Sequence, residues 1–400
     1  MTTLVVHVGG IRAGLLHQSN EGSFFELDDD YLSTPNRPVL GQIFEDDPTR
    51  PHRTRQGVPP WFANLLPEGP LRQLIAERAG VSERRSWFLL KLLGDDLPGA
   101  VTIETPELQS LEDEPEPLAT DPEELPLRFS LAGVQMKFSA IMAGRGLTIP
   151  AQGQGGDWIV KLPDLRFQGV PENEYLMMQL AGRSGIEVPT TTLVPVGSIA
   201  NLPERFTQSD SQALAVQRFD RSPTGRVHIE DFAQVLDVAP RKKYGATNYE
   251  TMARVIAAVC RDHDVDEFIR RLVFMIAIGN SDAHAKNWSL VYPDGRSACL
   301  APAYDLVAVS LYEKIESRLR PQLALNLAGV RDSSVVTHST FQYFARRAGL
   351  DGERVAMIVD DAVHAIRASW DEVKNTPELP HSPDLRAILD ERIGNLPLFR

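Results

Sequence analysis

Apolar and polar positions alternate over LVVHV (residues 4–8), SFFEL (23–27) and VTIET (101–105), a period of two that predicts strands. Before the last of these, PEGPLRQLIAERAG has helical spacing, with Pro70 near its first turn and Gly80 at its end. Beyond residue 128, RFSLAGVQMKFSAIM predicts two strands joined by a small-residue turn, and DWIVKLP and ALAVQRFDR predict two more. One helix, ENEYLMMQLAGRSG, lies among them, with Tyr175, Met178 and Leu180 on its spacing and Gly185 as its stop. The remainder reads as mostly helical, including VDEFIRRLVFMIAIG and DGERVAMIVDDAVHAIRASWDEV. A single hairpin interrupts it, NWSLVY turning through PDGR into SACLAPAYD.

This order predicts an α+β chain of bilobal, protein-kinase-like fold, with a β-rich N-terminal region and a mostly helical C-terminal lobe. The expected divisions are a β-rich domain over 1–103, a linker over 104–127, a nucleotide-binding small lobe over 128–221 and a helical lobe over 222–400. The linker carries nine acidic residues, five prolines and no basic residue, a composition that resists packing.

Composition narrows the function classes. With 42% hydrophobic residues and five tryptophans the chain should bury a substantial core. No apolar run reaches the roughly 20 residues that cross a bilayer, and the N-terminus lacks a basic leader, so a cytoplasmic protein without membrane contact is expected. Cys260 and Cys299 are the only cysteines, too few for a disulfide framework or a zinc site. Forty-one basic against 54 acidic residues leave a net charge of −13, which disfavours a large phosphate-binding surface. Nucleic acid could still be met through a basic partner or through a local patch such as Arg241, Lys242 and Lys243, a run that reads first as a solvated helix start.

The chemistry concentrates in GNSDAHAKNWSL (279–290), which follows one of the most apolar stretches of the chain. Phosphoryl transfer needs a group that positions the acceptor hydroxyl, oxygen ligands for Mg²⁺, and a cation on the nucleotide phosphates. Asp282 and Asn287 are five apart, the spacing of base and metal-binding asparagine in a kinase catalytic loop, and Asp305 returns 18 residues later across the hairpin. Spacing alone equally allows Asp282 to be a turn residue and Asp305 a cap. Lys161 in WIVKLP is the candidate cation, with Glu172 or Glu174 as partner and Glu174, deeper in its helix, preferred. His284 and Lys286 flank the candidate base and either meet the nucleotide or only shape the loop. Ser130 lies in a turn, SLAG, whose backbone N–H groups can approach phosphates.

Taken in order, SLAGVQMK, IVKLP, ENEYLM, AVQRFDR, HIEDFAQVLDV, IGNSDAHAKNWSL and LAPAYD resemble the HipA family of bacterial toxin kinases, and PWFANLLPEGPLR resembles that family's N-terminal domain. The resemblance spans roughly residues 4 to 345. It implies Asp282 as catalytic base, Asn287 and Asp305 as Mg²⁺ ligands, and Lys161 on the ATP phosphates. Gln217, Arg218 and Phe219 stand where the hinge holds adenine. Gln217 replaces a common Glu, a change that backbone-mediated adenine contacts should tolerate. Ser130 matches the serine that is autophosphorylated to switch the enzyme off. Met136 departs from a position often charged in relatives. Asp220 and His228 fall in matching blocks without an assigned role.

The implied protein is an ATP- and Mg²⁺-dependent serine/threonine kinase acting as the toxin of a toxin–antitoxin pair. A HipB-like helix-turn-helix antitoxin is the implied partner, DNA is met only through it, and an aminoacyl-tRNA synthetase is one candidate substrate. Two alternatives stay open: a silent clamp that modulates a DNA-bound antitoxin, and a kinase for a small molecule or lipid.

Overall fold

The computed structural model describes residues 1–106, 136–143, 146–149, 155–164, 166–203, 206, 211–312 and 322–400. Most of the expected linker and Ser130 lie outside the described residues, as does the first strand expected in RFSLAGVQMKFSAIM. The chain is α+β and forms two compact units. One comprises Met1–Leu162, Val194–Pro240 and Val291–Ser297; the other comprises Pro163–Leu193, Arg241–Leu290 and Ala298–Arg400.

The first unit opens with a five-stranded sheet. Strands β1 (Thr2–Val8), β2 (Ile11–Ser19), β3 (Gly22–Leu27), β4 (His52–Thr54) and β5 (Val101–Glu104) lie in the order β4-β3-β2-β1-β5. The period of two in β1 puts Leu4, Val6 and Val8 inside. Beneath the sheet Phe25, Phe44, Trp61 and Phe62 pack edge to face or tilted, with ring centroids 4.9–5.3 Å apart for the pairs Phe25–Phe44, Phe25–Phe62, Phe44–Trp61 and Trp61–Phe62. Strands β2 and β4 escape sequence reading, because IRAGLLHQS breaks the alternation and HRT is only three residues long. The predicted helix forms at Gly69–Arg78.

Behind these aromatics lies a buried carboxylate, Glu230. It accepts hydrogen bonds from the backbone N–H of Gln42 (2.8 Å), from Trp61 Nε1 (3.2 Å) and from the Tyr292 hydroxyl. Gly41 makes the room: a Cβ there would stand 2.5 Å from Trp61 Nε1 and 3.0 Å from Glu230 Oε2. Burial outweighs the three donors and lifts Glu230 from 4.5 to about 7. His228 stacks on Tyr292 at 5.4 Å, bonds Leu40 C=O through Nε2 at 2.9 Å, and is lowered by burial from 6.5 to about 4.

The two groups act on stability with opposite signs. Folded Glu230 keeps a proton that the unfolded chain releases, so its contribution is full below about pH 4.5 and is lost as pH rises through about 7. The unfolded chain protonates His228 below 6.5 while the folded protein refuses, so stability is lost as pH falls through about 4. Glu230→Gln removes the first effect alone. Between about pH 4.5 and about pH 8 its urea-unfolding free energy should shift relative to wild type by about 3 kcal/mol in the variant's favour, at about 1.4 kcal/mol per pKa unit. A difference that does not vary with pH would remove Glu230 as the titrating group.

A second sheet in this unit contains β6 (Lys137–Ala143), β7 (Gly146–Thr148) and β8 (Trp158–Lys161), with β8 between β6 and the strand Gln212–Gln217. The expected strand ALAVQRFDR therefore stops at Gln217, and Arg218 to Asp220 turn away from it.

The second unit is helical. Helix Asp262–Ile278 is apolar nearly all round from Glu267 onward and is buried there, packed by Gly352–Val373, Tyr249–Val259 and Pro383–Asn395. Helix Val170–Arg183 buries Asn173, Glu174, Leu176, Met177, Met178 and Leu180, while Tyr175 is only half-buried. The hairpin forms with strands Ser289–Tyr292 and Cys299–Leu300; its middle part, Val291–Ser297, belongs to the first unit, where Asp294 closes the turn by accepting the N–H groups of Arg296 and Ser297. The basic run departs from its expected form. Pro240–Lys242 is a 3₁₀ turn with Arg241 and Lys242 exposed, but Lys243 is buried, because the next residues double back onto the loop at 282–285. Among the described residues no helix is long and apolar enough to cross a membrane.

Candidate active site

The apolar helix Asp262–Ile278 acts as a pedestal. It ends at Gly279 in the left-handed conformation (φ 67°), where a Cβ would stand 2.7 Å from Ser310 Oγ and 2.9 Å from Arg392 Cζ. Arg392 satisfies its last carbonyls, with Nη2 to Ile276 C=O at 2.6 Å and Nε to Ala277 C=O at 3.2 Å, which places a cation on the negative end of the helix dipole.

The loop that follows is fixed by its own amides. Asn280 Oδ1 accepts the Asp282 N–H at 2.9 Å, and its Nδ2 donates to the Asp305 carbonyl at 3.3 Å. One buried side chain thus ties the backbone of Asp282 to that of Asp305. Asn287 Nδ2 donates to the Asp282 carbonyl at 2.8 Å, so the amide presents Oδ1, the oxygen a cation requires. Tyr304, next to Asp305, donates its hydroxyl to the Lys286 carbonyl at 3.0 Å and lies 2.6 Å from Ser289 Oγ. Asp305 itself has φ 60°, a left-handed conformation that costs about 1 kcal/mol for a non-glycine residue and that these bonds maintain. Asn173 pins the chain just beyond, exchanging hydrogen bonds with both the carbonyl (3.1 Å) and the N–H (2.9 Å) of Ala308. Asp282, Asn287 and Asp305 are therefore drawn to one place, and the helix of Glu174 is fastened to the same segment.

The Asp282 carboxylate is half-exposed, with its Oδ1 accepting the Tyr244 hydroxyl and His284 Nε2 at 3.9 Å. His284 and Lys286 are buried, as is Glu174, while Glu172 is partly exposed.

In the first unit, Lys161 is buried at the end of β8 and pairs across to Leu214 on one side and Lys137 of β6 on the other. Directly opposed residues of an antiparallel pair share a face, so Lys137 and Lys161 lie on the same face of the sheet. Gln217 is exposed, and Phe219 is half-buried. The Arg218 N–H is spent on Asp157 C=O at 2.8 Å. Its guanidinium is fully buried and forks onto Asp220, Nε to Oδ1 at 2.8 Å and Nη2 to Oδ2 at 2.7 Å. Asp220 also accepts from the Gly99 N–H (2.9 Å) and from Arg221 (2.8 Å), while Asp96 takes Arg221 at 3.2 Å and Arg226 at 3.5 Å. Burial alone would raise Asp220, but the Arg218 guanidinium beside it holds the carboxyl far below its ordinary range.

A family model described as the HipA-like C-terminal domain matches residues 129–370, and one described as the HipA N-terminal domain matches residues 4–104. The chain belongs to the HipA family. Among curated relatives it is 41% identical to "Putative kinase Y4dM" of Sinorhizobium fredii, over all of this chain and 98% of that one. It is 28% identical to the serine/threonine-protein kinase toxin HipA of Shewanella oneidensis, over 79% of this chain and 77% of that one. In the solved complex of the Shewanella HipA with HipB and operator DNA, a chain matches with a TM-score of 0.74 and 23% identity, covering 98% of this chain and 96% of that chain. The expected α+β, kinase-like class is the fold observed.

In this HipA-family chain sequence reasoning overlooked Asn280, Tyr244 and Lys137. The dipeptide Gly-Asn after an apolar helix was a usable signal for Asn280, since a C-cap glycine is often followed by a residue that closes the turn. Nothing local marks Tyr244, 38 residues before the carboxylate it meets. Among the described residues no group of three His, Cys, Asp or Glu side chains could hold a metal ion. Mg²⁺ does not require such a group, since it keeps several waters and is commonly held by one or two side-chain oxygens. The donors Asn287 Oδ1 and Asp305 fit that requirement.

Proposed function

We propose that the chain is an ATP- and Mg²⁺-dependent serine/threonine protein kinase of the cytoplasm, the toxin of a HipBA-like toxin–antitoxin system. Its observational support is the Asn280 bridge, which ties the backbones of Asp282 and Asp305 together beside Asn287. In this reading Asp282 orients and deprotonates the acceptor hydroxyl, and Asn287 and Asp305 hold Mg²⁺, which when bound neutralises charge on the phosphates. Lys161 is the proposed cation on the phosphates, and Glu174, His284 and Lys286 are proposed nucleotide-site residues. Gln217, Arg218 and Phe219 are proposed to present backbone atoms to adenine. The rigid Arg218–Asp220 fork suits a segment that must offer its backbone in one geometry.

The domain division follows the same reading: 1–103 as the HipA-type N-terminal domain, 104–127 as a linker, 128–221 as the small lobe and 222–400 as the catalytic lobe. Ser130 is the proposed autophosphorylation site, where close to two negative charges would repel nucleotide phosphates. The Shewanella HipA was solved together with HipB and operator DNA, which supports a HipB-like antitoxin as partner here, with DNA met only through it. An aminoacyl-tRNA synthetase is the candidate substrate.

The test is magnesium dependence. Asn287→Ala should need at least tenfold more Mg²⁺ for half-maximal transfer of label from ATP, with ATP affinity in EDTA held within about twofold. An unchanged Mg²⁺ requirement would remove Asn287 from the metal site.

A further inference from the structure

The hydroxyl of Tyr244 donates to Oδ1 of Asp282. Tyr244 precedes the helix Tyr249–Val259 and is 43% exposed. Three contacts aim it. Its ring stands edge-on to His284 at 4.9 Å, the Lys243 ammonium lies 5.6 Å from the ring centroid, and its carbonyl accepts from Arg331 Nη2 at 2.6 Å. A half-exposed phenol can bond water without penalty, so packing alone does not explain why this one is turned onto a carboxylate.

A general base acts on the group that hydrogen-bonds to it. On Oδ1 of Asp282 that position is held by a hydroxyl of the chain itself. Water competes with a protein hydroxyl as phosphoryl acceptor, and it arrives with no binding energy beyond its own hydrogen bonds. A serine or threonine on a docked protein segment brings the binding energy of the whole segment and can displace the phenol.

Resting on the assignment of Asp282 as base, we propose that Tyr244 is an acceptor gate that selects a docked hydroxyl against water. In the reaction it suppresses, a water oxygen bonds to the γ-phosphorus while the bond to the β–γ bridging oxygen breaks. ADP leaves with that electron pair, and the water proton passes to Asp282. In the reaction it admits, a protein hydroxyl takes the place of water and the phosphoester is the product. The proposal concerns which acceptor reaches the base, so it adds a specificity residue to the site.

The experiment compares Tyr244→Phe with wild type and with Asp282→Asn. Phenylalanine keeps the ring against His284 and removes only the donor. Two rates are followed with labelled ATP: release of inorganic phosphate, and label entering the protein itself and added myelin basic protein as a generic acceptor. The ratio of hydrolysis to transfer should rise about tenfold in Tyr244→Phe, the equivalent of one hydrogen bond of about 1.4 kcal/mol. An unchanged ratio, or a parallel fall in both rates, overturns the gate, because a merely supporting tyrosine would slow both alike. If Asp282→Asn hydrolyses and transfers like wild type, the assignment of the base falls instead. A second measurement does not need turnover. With 3-fluorotyrosine in the nucleotide-free protein, the fluorine resonance that Tyr244→Phe deletes should shift in Asp282→Asn, and a resonance that stays put overturns the contact and the proposal with it.

Discussion

Replacing Asp282 by asparagine should lower phosphoryl transfer by about a thousandfold or more, within the range a positioned general base contributes. The fold should survive, because the loop is held by groups the change leaves alone. The residue 282 N–H still meets Asn280 Oδ1, and its carbonyl still accepts from Asn287. The carboxylate is half-exposed, so asparagine takes its place without a buried charge being lost or stranded. Labelled-ATP transfer and urea unfolding read the two effects separately. Activity above about one-tenth of wild type would show that Asp282 is not the base. Unfolding more than about 1 kcal/mol below wild type would show that the loop needs the carboxylate for its shape.

The largest expected effect on stability lies in the other unit. Asp220→Ala should cost about 3–5 kcal/mol, the usual penalty for removing one partner of a buried ion pair. The Arg218 guanidinium is fully buried, and its next carboxylate, Asp96, lies 3.9 Å away and is shared with Arg221 and Arg226. Without Asp220 all three guanidiniums would have Asp96 as their shared ion-pair partner, with Asp157 and Asp95 acting only on Arg218 and Arg226 and less strongly, and the Gly99 N–H would lose its acceptor. Arg221, already lowered to about 10 by burial and then by Arg218, would lose one of the carboxylates that offset its buried charge. Asp220→Asn keeps the shape and part of the hydrogen bonding, so its cost should fall between alanine and wild type. A loss below about 1 kcal/mol for alanine in chemical denaturation would mean that the cluster relaxes or admits water.

Asp220 and His228 illustrate what sequence reading leaves open. Both stand in recognisable blocks without a role. In the structure one neutralises buried arginines, and the other stacks on Tyr292 in the Glu230 pocket. A polar residue reads as exposed unless its partners are known, and these partners are far off: Asp96 is 125 residues from Arg221, and Gln42 is 188 from Glu230. Lys243 departs from its expected exposure for the same reason, as a basic run looks solvated until the turn that buries one member is seen. The placing of Gln217, Arg218 and Phe219 on one strand failed locally, since the strand ends where Arg218 is drawn toward Asp220.

Consecutive residues alone determined the class of fold, most of its long elements and the polar loop after the apolar helix. Hydrophobic period, a glycine stop and a five-residue spacing are properties of neighbours and need no tertiary partner to be read. Tertiary structure decided which hydroxyl rests on Asp282, which amide joins it to Asp305, and which acid meets each buried arginine. Those pairings carry the electrostatics, and they arise only when distant segments pack and shed their water.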